Sequence, residues 1–156
     1  MSPVRRCSGE GPTLSVPMNV QRLTEFSIYL AQRPGELAGL LEATAVAGVD
    51  VSGFAVTEYN DRGLVRLVGE PEESLRHVME SLVESGVGPV VETPVLSIEI
   101  DQRPGAVRDM SVMMADARVN VKYVYLCPAQ NGTPTRVIVC VDDLDRAIEA
   151  IAVDGA

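Results

Sequence analysis

A segment of about 70 residues occurs twice in this chain. Gln32-Arg33-Pro34-Gly35 returns as Gln102-Arg103-Pro104-Gly105, 70 positions later (102 − 32). The flanks match at the same offset: Phe26-Ser27-Ile28 with Leu96-Ser97-Ile98, and Val49-Asp50-Val51 with Val119-Asn120-Val121. An internal duplication of this kind indicates one supersecondary unit built twice. It also gives the chain two equivalent loops, which favours paired binding sites over a single catalytic centre.

Composition excludes several classes of protein. The chain has 156 residues, enough for one medium or two small domains, and a net charge of −9. Nucleic-acid and anionic membrane surfaces need clustered Lys and Arg, and base stacking needs aromatic side chains, of which there are two Phe, four Tyr and no Trp. No apolar run approaches the roughly 18–20 residues of a membrane helix. We therefore expect neither a nucleic-acid nor a membrane partner.

Cysteine usage predicts reduced thiols in a cytoplasmic protein. The three cysteines are Cys7, Cys127 and Cys140. A hairpin turn centred on Asn131-Gly132 places residue 127 opposite residue 136, which leaves Cys140 about 13 Å away at roughly 3.3 Å per residue, too far to bridge. With one histidine, His77, on the polar side of its helix, and no Cys-x-x-Cys, neither a metal site nor any other cofactor is expected.

The first 22 residues differ from the rest of the chain. They contain Pro and Gly without hydrophobic periodicity, and we expect a flexible N-terminal tail over residues 1–22. Arg5-Arg6 is not followed by the apolar region of an export signal. The repeats then divide the chain into one module over residues 23–93 and a second over residues 94–156.

Each repeat predicts the order βαββαβ. In the first, residues 25–31 alternate with Phe26, Ile28 and Leu30 on one face, a helix follows Pro34 and ends at Gly48, and residues 49–58 and 64–69 form strands around an Asn60-Asp61-Arg62-Gly63 turn. A second helix buries Leu75, Val78, Met79 and Leu82, and residues 89–93 make a short fourth strand.

The second repeat predicts the same elements with one exception. Strands are expected at 95–101, 119–127 and 134–141, with helices whose inward residues are Val107, Met110 and Met114, then Leu144, Ala147, Ile148 and Ile151. Because Ala156 corresponds to Val87, we expect the second unit to lack its fourth strand and to leave a sheet edge uncovered. We expect residues 13–20, the inter-repeat segment or another chain to cover that edge and to protect the amides of residues 96–100 from hydrogen exchange.

The repeated unit resembles the ACT domain. The similarity rests on a strand, then Arg-Pro-Gly opening a helix, then Gly-Val-Asp-Val or Arg-Val-Asn-Val opening the next strand, and it covers about residues 23–156. It implies an α+β chain of two ferredoxin-like modules with antiparallel sheets and helices on one face. It also implies a stand-alone, non-enzymatic tandem protein that binds a free amino acid and regulates a metabolic enzyme or a transcription regulator. The chain departs from the family in having Asp50 where Asn is frequent.

The chemistry of the repeated loops fits an amino-acid ligand. A helix N-terminus offers unpaired N–H groups to a carboxylate, and Gly35 and Gly105 allow close approach. Asp50 and Asn120 provide acceptors for an ammonium group. By family analogy, one site joins Gln32, Gly35, Glu36 and Leu37 to Asn120, and the other joins Gln102, Gly105, Ala106 and Val107 to Asp50. We favour the second site, because Glu36 competes with a bound carboxylate whereas Ala106 leaves its helix N-terminus open.

Other functions on the same topology are less well supported. An acylphosphatase-like enzyme needs a glycine-rich phosphate cradle that is missing here, and Arg33 and Arg103 are expected to be solvated or ion-paired. An RNA-recognition module is excluded by Leu and Val at the stacking positions. The remaining alternative is a ligand-free interaction module, with a partly apolar far sheet face (Tyr29, Phe54, Val124) and exposed edges that also suit a homodimer.

Overall fold

The computed structural model describes residues 19–127 and 133–154. The elements are β1 (Val20–Ala31), α1 (Glu36–Val46), β2 (Asp50–Tyr59), β3 (Arg62–Glu70), α2 (Glu72–Glu84), β4 (Val90–Ile100), α3 (Ala106–Asp116), β5 (Val121–Cys127), β6 (Thr135–Val141) and α4 (Leu144–Asp154). The predicted element order is confirmed. The short strand at 89–93 and the strand at 95–101, however, form one continuous strand, β4. Residues 1–18 of the predicted tail, Cys7 among them, and the Asn131-Gly132 turn lie outside the described residues. The tail prediction is wrong for residues 20–22, because they belong to β1 and pair with β4.

The six strands form one antiparallel sheet in the order β2-β3-β1-β4-β6-β5. Helices α1 and α2 pack on the first half of this sheet, over a core that includes Phe26, Leu40, Leu67 and Leu75. Helices α3 and α4 pack on the second half, over Leu96, Met110, Met114 and Ile151. None of the helices in the described part of the chain is long and apolar enough to cross a membrane.

The open edge of the second module is covered by the start of β1. Val20 pairs with Ile98 and Leu23 with Val95, and the N–H of Glu99 donates to the carbonyl of Asn19 at 2.9 Å. The covering segment therefore begins within the range expected from the sequence and continues past it. The second half of β1 meanwhile pairs with β3 in the first module, so one strand serves both modules.

Local signals in the sequence are confirmed at two turns and in the register of one strand pair. Gly48 follows the end of α1 with φ of 71°, the left-handed conformation that glycine adopts without strain. Asn60 and Asp61 both have positive φ, as a two-residue hairpin connection requires. Cys127 pairs with Arg136, the register that keeps it apart from Cys140, and both thiols are free.

The sheet face opposite the helices is buried as well, and we call it the inner face. The sheet curls so that β2 and β5 approach each other over a cluster made of Leu23, Val68, Val95, Tyr123, Tyr125, Cys127, Ile138 and Cys140. A Cβ built on Gly53 of β2 would lie 3.5 Å from the Tyr125 ring and 3.3 Å from Ile138. The inner face is therefore a second core between the two modules.

The prediction that Phe54 and Val124 lie on the far face is wrong. Phe54 pairs with Leu67, and Val124 pairs with Val139, and both partners belong to the cores under the helices. The reason is a β-bulge near the start of each strand, between Val51 and Gly53 and between Val121 and Tyr123. One extra residue reverses the side-chain alternation beyond it, which a period-two pattern cannot anticipate.

Candidate ligand-binding cleft between the repeats

The first predicted loop carries a local ion pair. Gly35 precedes α1 with φ of 93°, and its carbonyl accepts the N–H of Gly39 at 2.9 Å. Arg33 donates to Glu36 at 2.7 Å, so both side chains are engaged at the helix N-terminus. Gln32 is exposed, whereas Leu37 packs against the first core. The prediction that Arg33 is solvated or ion-paired is confirmed.

The second loop has the same backbone and also holds a carboxylate. Gly105 precedes α3 with φ of 87°. Arg103 donates to Asp109 at 2.7 Å, and Asp109 also accepts from Arg108 at 3.1 Å. The hydrogen bond from Arg103 is the main reason that the pKa of Asp109 is lowered. The α3 N-terminus is therefore less open than Ala106 alone suggests, because Asp109, one turn into the helix, brings a negative charge.

The other residues predicted for the second site differ in exposure. Gln102 is exposed and Ala106 is buried in the second core, against which Val107 also packs. Only the backbone of Ala106 and Val107 is therefore well placed to meet a ligand. Among the described residues, no hydrogen bond or ion pair joins this loop to Asp50, so that pairing stays a prediction.

Asp50 lies instead in a cleft that both repeats line. The cleft has a volume of about 640 Å³ and is bordered by Asp50, Val51, Ser52, Gly53, Phe54, Leu126, Cys127, Thr133, Pro134 and Arg136. The first five residues start β2 of the first module. In the second module, Leu126 and Cys127 end β5, Thr133 and Pro134 directly precede β6, and Arg136 lies near its start. Ile100 pairs with Thr135, so the loop that begins at Asp101 leaves the sheet beside the β6 end of the cleft.

Arg136 is the positive charge in this cleft. It follows Thr135 at the start of β6, and its guanidinium donates to the backbone carbonyl of Ser52 at 3.4 Å, which links the two modules. The neighbouring Cys127 thiol has its pKa raised by burial, an effect that Arg136 and a hydrogen bond with the Phe54 backbone oppose. The cleft thus places a carboxylate and a guanidinium on the walls of one opening.

The 70-residue repeat relates this cleft to a second position in the protein, and there two side chains pack against each other. Arg66 is the equivalent of Arg136, and Tyr123 is the equivalent of Gly53, each at the 70-residue offset (136 − 66; 123 − 53). The Arg66 guanidinium lies over the Tyr123 ring, 4.2 Å from its centroid. Tyr123 therefore places an aromatic ring against an arginine at the position where the other repeat has Gly53.

A fully buried carboxylate holds the filled side together. Glu25 accepts from the Tyr123 hydroxyl at 2.6 Å and from the Tyr125 hydroxyl at 2.8 Å. Arg66 Nε lies 3.6 Å from the same carboxylate, and the Ser27 hydroxyl lies 3.4 Å from it. Burial of an ionised group is tolerated when hydrogen bonds and an opposite charge compensate it. Glu25 and its tyrosines thus link β1 of the first module to β5 of the second.

Sequence reasoning placed Asp50 at an inter-module site but missed Arg136 and Glu25. Asn120, predicted to face the first loop, is exposed, and its backbone N–H donates to Asp142 at 2.9 Å. Among the described residues it has no hydrogen bond to the first loop, and that site also stays a prediction. Arg136 did carry a signal, since it is the one charged residue of the apolar strand β6. Glu25 carried none, because its strand also contains Arg22 and other polar residues.

The fold and the duplicated modules define the class to which this chain belongs. A family model for the ACT domain pair matches residues 18–155, so the chain belongs to the ACT domain pair family, and the resemblance inferred from its motifs is confirmed. No curated protein sequence matches the chain significantly.

Solved structures share this fold at low sequence identity. A protein from Bacteroides thetaiotaomicron superposes with a TM-score of 0.73 at 21% identity, covering 85% of this chain and 88% of that one. The ligand-free regulatory subunit of aspartate kinase from Thermus thermophilus gives a TM-score of 0.63 at 16% identity, with coverage of 89% and 97%. E. coli aspartokinase III in complex with aspartate and ADP gives 0.54 at 12% identity, covering 88% of this chain and 32% of that one.

Proposed function

We propose that this protein is a non-enzymatic regulatory protein that binds a free amino acid in the cleft between β2 and the β5–β6 strands. The observation that carries the proposal is the presence of Asp50 and Arg136 on the walls of one cleft. A free amino acid carries an ammonium and a carboxylate, and these two side chains supply the opposite charge for each. Charge-assisted hydrogen bonds of this kind are about twice as strong as neutral ones.

The dimensions of the cleft support a ligand of this size. Small-molecule sites commonly have volumes of about 300–1,000 Å³, and this cleft has about 640 Å³. Because Tyr123 and Arg66 fill the equivalent position, we expect one ligand per chain rather than two.

Family membership supports a regulatory role. ACT modules commonly bind amino acids and regulate metabolic enzymes. Two of the solved structures described above are a regulatory subunit of aspartate kinase and an aspartokinase in complex with aspartate and ADP. By analogy, ligand binding here would be relayed to a metabolic enzyme or a regulator in the cytoplasm, with the protein acting as a homodimer.

A thermal-shift screen tests the proposal directly. The purified protein is heated with each of the twenty amino acids at millimolar concentration. A ligand that binds only the native state must raise the melting temperature in a saturable way. A saturable rise with one or a few related amino acids is the expected result. No rise with any of them would favour the ligand-free interaction module.

Calorimetry on three variants locates the site. Asp50→Asn and Arg136→Gln each remove one charge from the cleft, and we expect each to weaken binding about tenfold or more, since hydrogen bonds to charged groups contribute about 1.5–3 kcal/mol. Asn120→Ala changes the exposed equivalent of Asp50 and is the matched control, with no expected change. The reverse pattern, in which only Asn120→Ala weakens binding, would move the ligand to the first loop.

A further inference from the structure

We infer that the ligand of the cleft is an amino acid with an uncharged, apolar side chain; this inference rests on the proposed function and names its ligand class. Two large apolar side chains stand at the cleft with much of their surface in solvent. Phe54 is 41% exposed and Leu126 is 51% exposed, and they come from the two different modules. An apolar ligand side chain placed between them would remove surface from water on both walls, which is the main source of binding energy for such groups.

The charges of the cleft point to the same class. Among its described lining residues, only Asp50 and Arg136 are charged. The ammonium and carboxylate common to all amino acids use both of them. The extra charge of an aspartate, glutamate, lysine or arginine ligand would then enter the cleft without an opposite charge, and an unpaired charge is costly to desolvate.

The apolar walls result from the two β-bulges. Beyond the bulge in β2, the Phe54 side chain lies on the helix-bearing face of the sheet and not on the inner face. Beyond the bulge in β5, the Leu126 side chain also lies on the helix-bearing face. Val51 and Pro134 continue the apolar surface on each side. Val124, the repeat equivalent of Phe54, is exposed to a similar extent at 43% but does not line the cleft, so it provides a matched control.

Calorimetric titration with five amino acids tests the inference. Leucine and phenylalanine carry an apolar side chain, alanine has little more than the shared zwitterion, and aspartate and lysine add a charge. We expect leucine or phenylalanine to bind at least tenfold more tightly than the other three. Binding of aspartate or lysine with equal or higher affinity would overturn the ligand class while leaving the proposed function intact. Absence of binding by these five, together with no thermal shift from any of the twenty amino acids, would overturn both.

Three surface variants separate side-chain recognition from zwitterion recognition. Phe54→Ser and Leu126→Ser are expected to weaken leucine or phenylalanine binding about tenfold and to leave the affinity for alanine within twofold. Val124→Ser is expected to change neither. All three positions are exposed, so the variants should fold. A loss in Val124→Ser as large as in Phe54→Ser, or no loss in either cleft variant, would overturn the inference.

Discussion

Thr24 and Pro94 lie opposite each other in the central strand pair, and they are also the same position of the two repeats (94 − 24 = 70). A residue that pairs with its own repeat equivalent marks a local two-fold axis. The pairs on either side obey the same relation, since Val20 with Ile98 corresponds to Ile28 with Val90. The two modules are therefore joined through β1 and β4 as the subunits of a symmetric dimer would be.

The first prediction concerns the edge that β1 covers. The Glu99 amide donates to Asn19, and residues 96–98 pair with β1 on one side. Because residues 96–100 also pair with β6 on the other side, we expect slow hydrogen exchange for the amides of this whole segment. Exchange measured by mass spectrometry on short peptides, or by nuclear magnetic resonance, reads this directly. Fast exchange across 96–100 in the native protein would contradict the pairing with β1.

The second prediction concerns the buried carboxylate. Tyr125→Phe removes one hydroxyl donor to Glu25 and should lower the free energy of unfolding by about 1.5–3 kcal/mol, the usual contribution of a hydrogen bond to a charged group. Tyr59→Phe changes an exposed tyrosine and should stay within about 0.5 kcal/mol of the parent. Urea denaturation of both variants provides the comparison. Equal stability of the two variants would show that the Glu25 contact contributes little.

The third prediction is a loss of stability at alkaline pH. Burial, and after it the interaction with Glu25, raises the pKa of Tyr123 and Tyr125 well above the ordinary tyrosine value of about 10. Above about pH 10 the unfolded chain releases these protons while the folded protein keeps them, so this contribution to stability is full below pH 10 and declines as pH rises. The double variant Tyr123→Phe/Tyr125→Phe should be less stable at neutral pH but lose stability less steeply between about pH 9 and 11.

Denaturant unfolding at several pH values measures that slope. Circular dichroism should confirm that the double variant is folded at pH 8 before the titration begins. The same steepness in the parent and the double variant would mean that other groups cause the alkaline loss.

The fourth prediction contrasts two glycines. A Cβ on Gly69 would lie 2.8 Å from Val49 Cγ1 and 3.0 Å from the Asp50 carbonyl, so Gly69→Ala should lower stability by about 1–3 kcal/mol. A Cβ on Gly39, inside α1, meets nothing within 4 Å, and Gly39→Ala should raise stability by about 0.5–1 kcal/mol. Thermal or urea unfolding of each variant measures whether its free energy of unfolding rises or falls. An unchanged free energy of unfolding in Gly69→Ala would mean that β2 shifts to accommodate the methyl group.

The fold was largely predictable because local signals agree with it. The repeat offset, the glycine after α1, the Asn60-Asp61 turn and the hairpin register around Cys127 all appear in the structure. The burial of both faces of β1 was not predictable. Alternation predicted a half-buried strand, yet Glu25 and Ser27 are buried too, because β5 curls over the inner face.

The candidate site was predictable only in part. Asp50 was expected at a junction of the modules, and it does line a cleft shared by both. Its neighbours there depend on the curl of the sheet and on two bulges, and neither leaves a periodic trace in the sequence. Arg136 and Phe54 therefore emerged only from the three-dimensional arrangement.

The continuous strand β4 has a consequence for any attempt to divide the protein. A cut between Thr93 and Pro94, at the boundary that the repeats indicate, falls in the middle of a paired strand. The first fragment would retain Val20–Leu23 without their partners, and the second would retain Val95–Ile98 without theirs. Each fragment would then expose an unpaired strand segment that is complementary to the one in the other fragment. When the two fragments are mixed, we expect them to pair again and form one sheet, and we do not expect them to behave as independent modules.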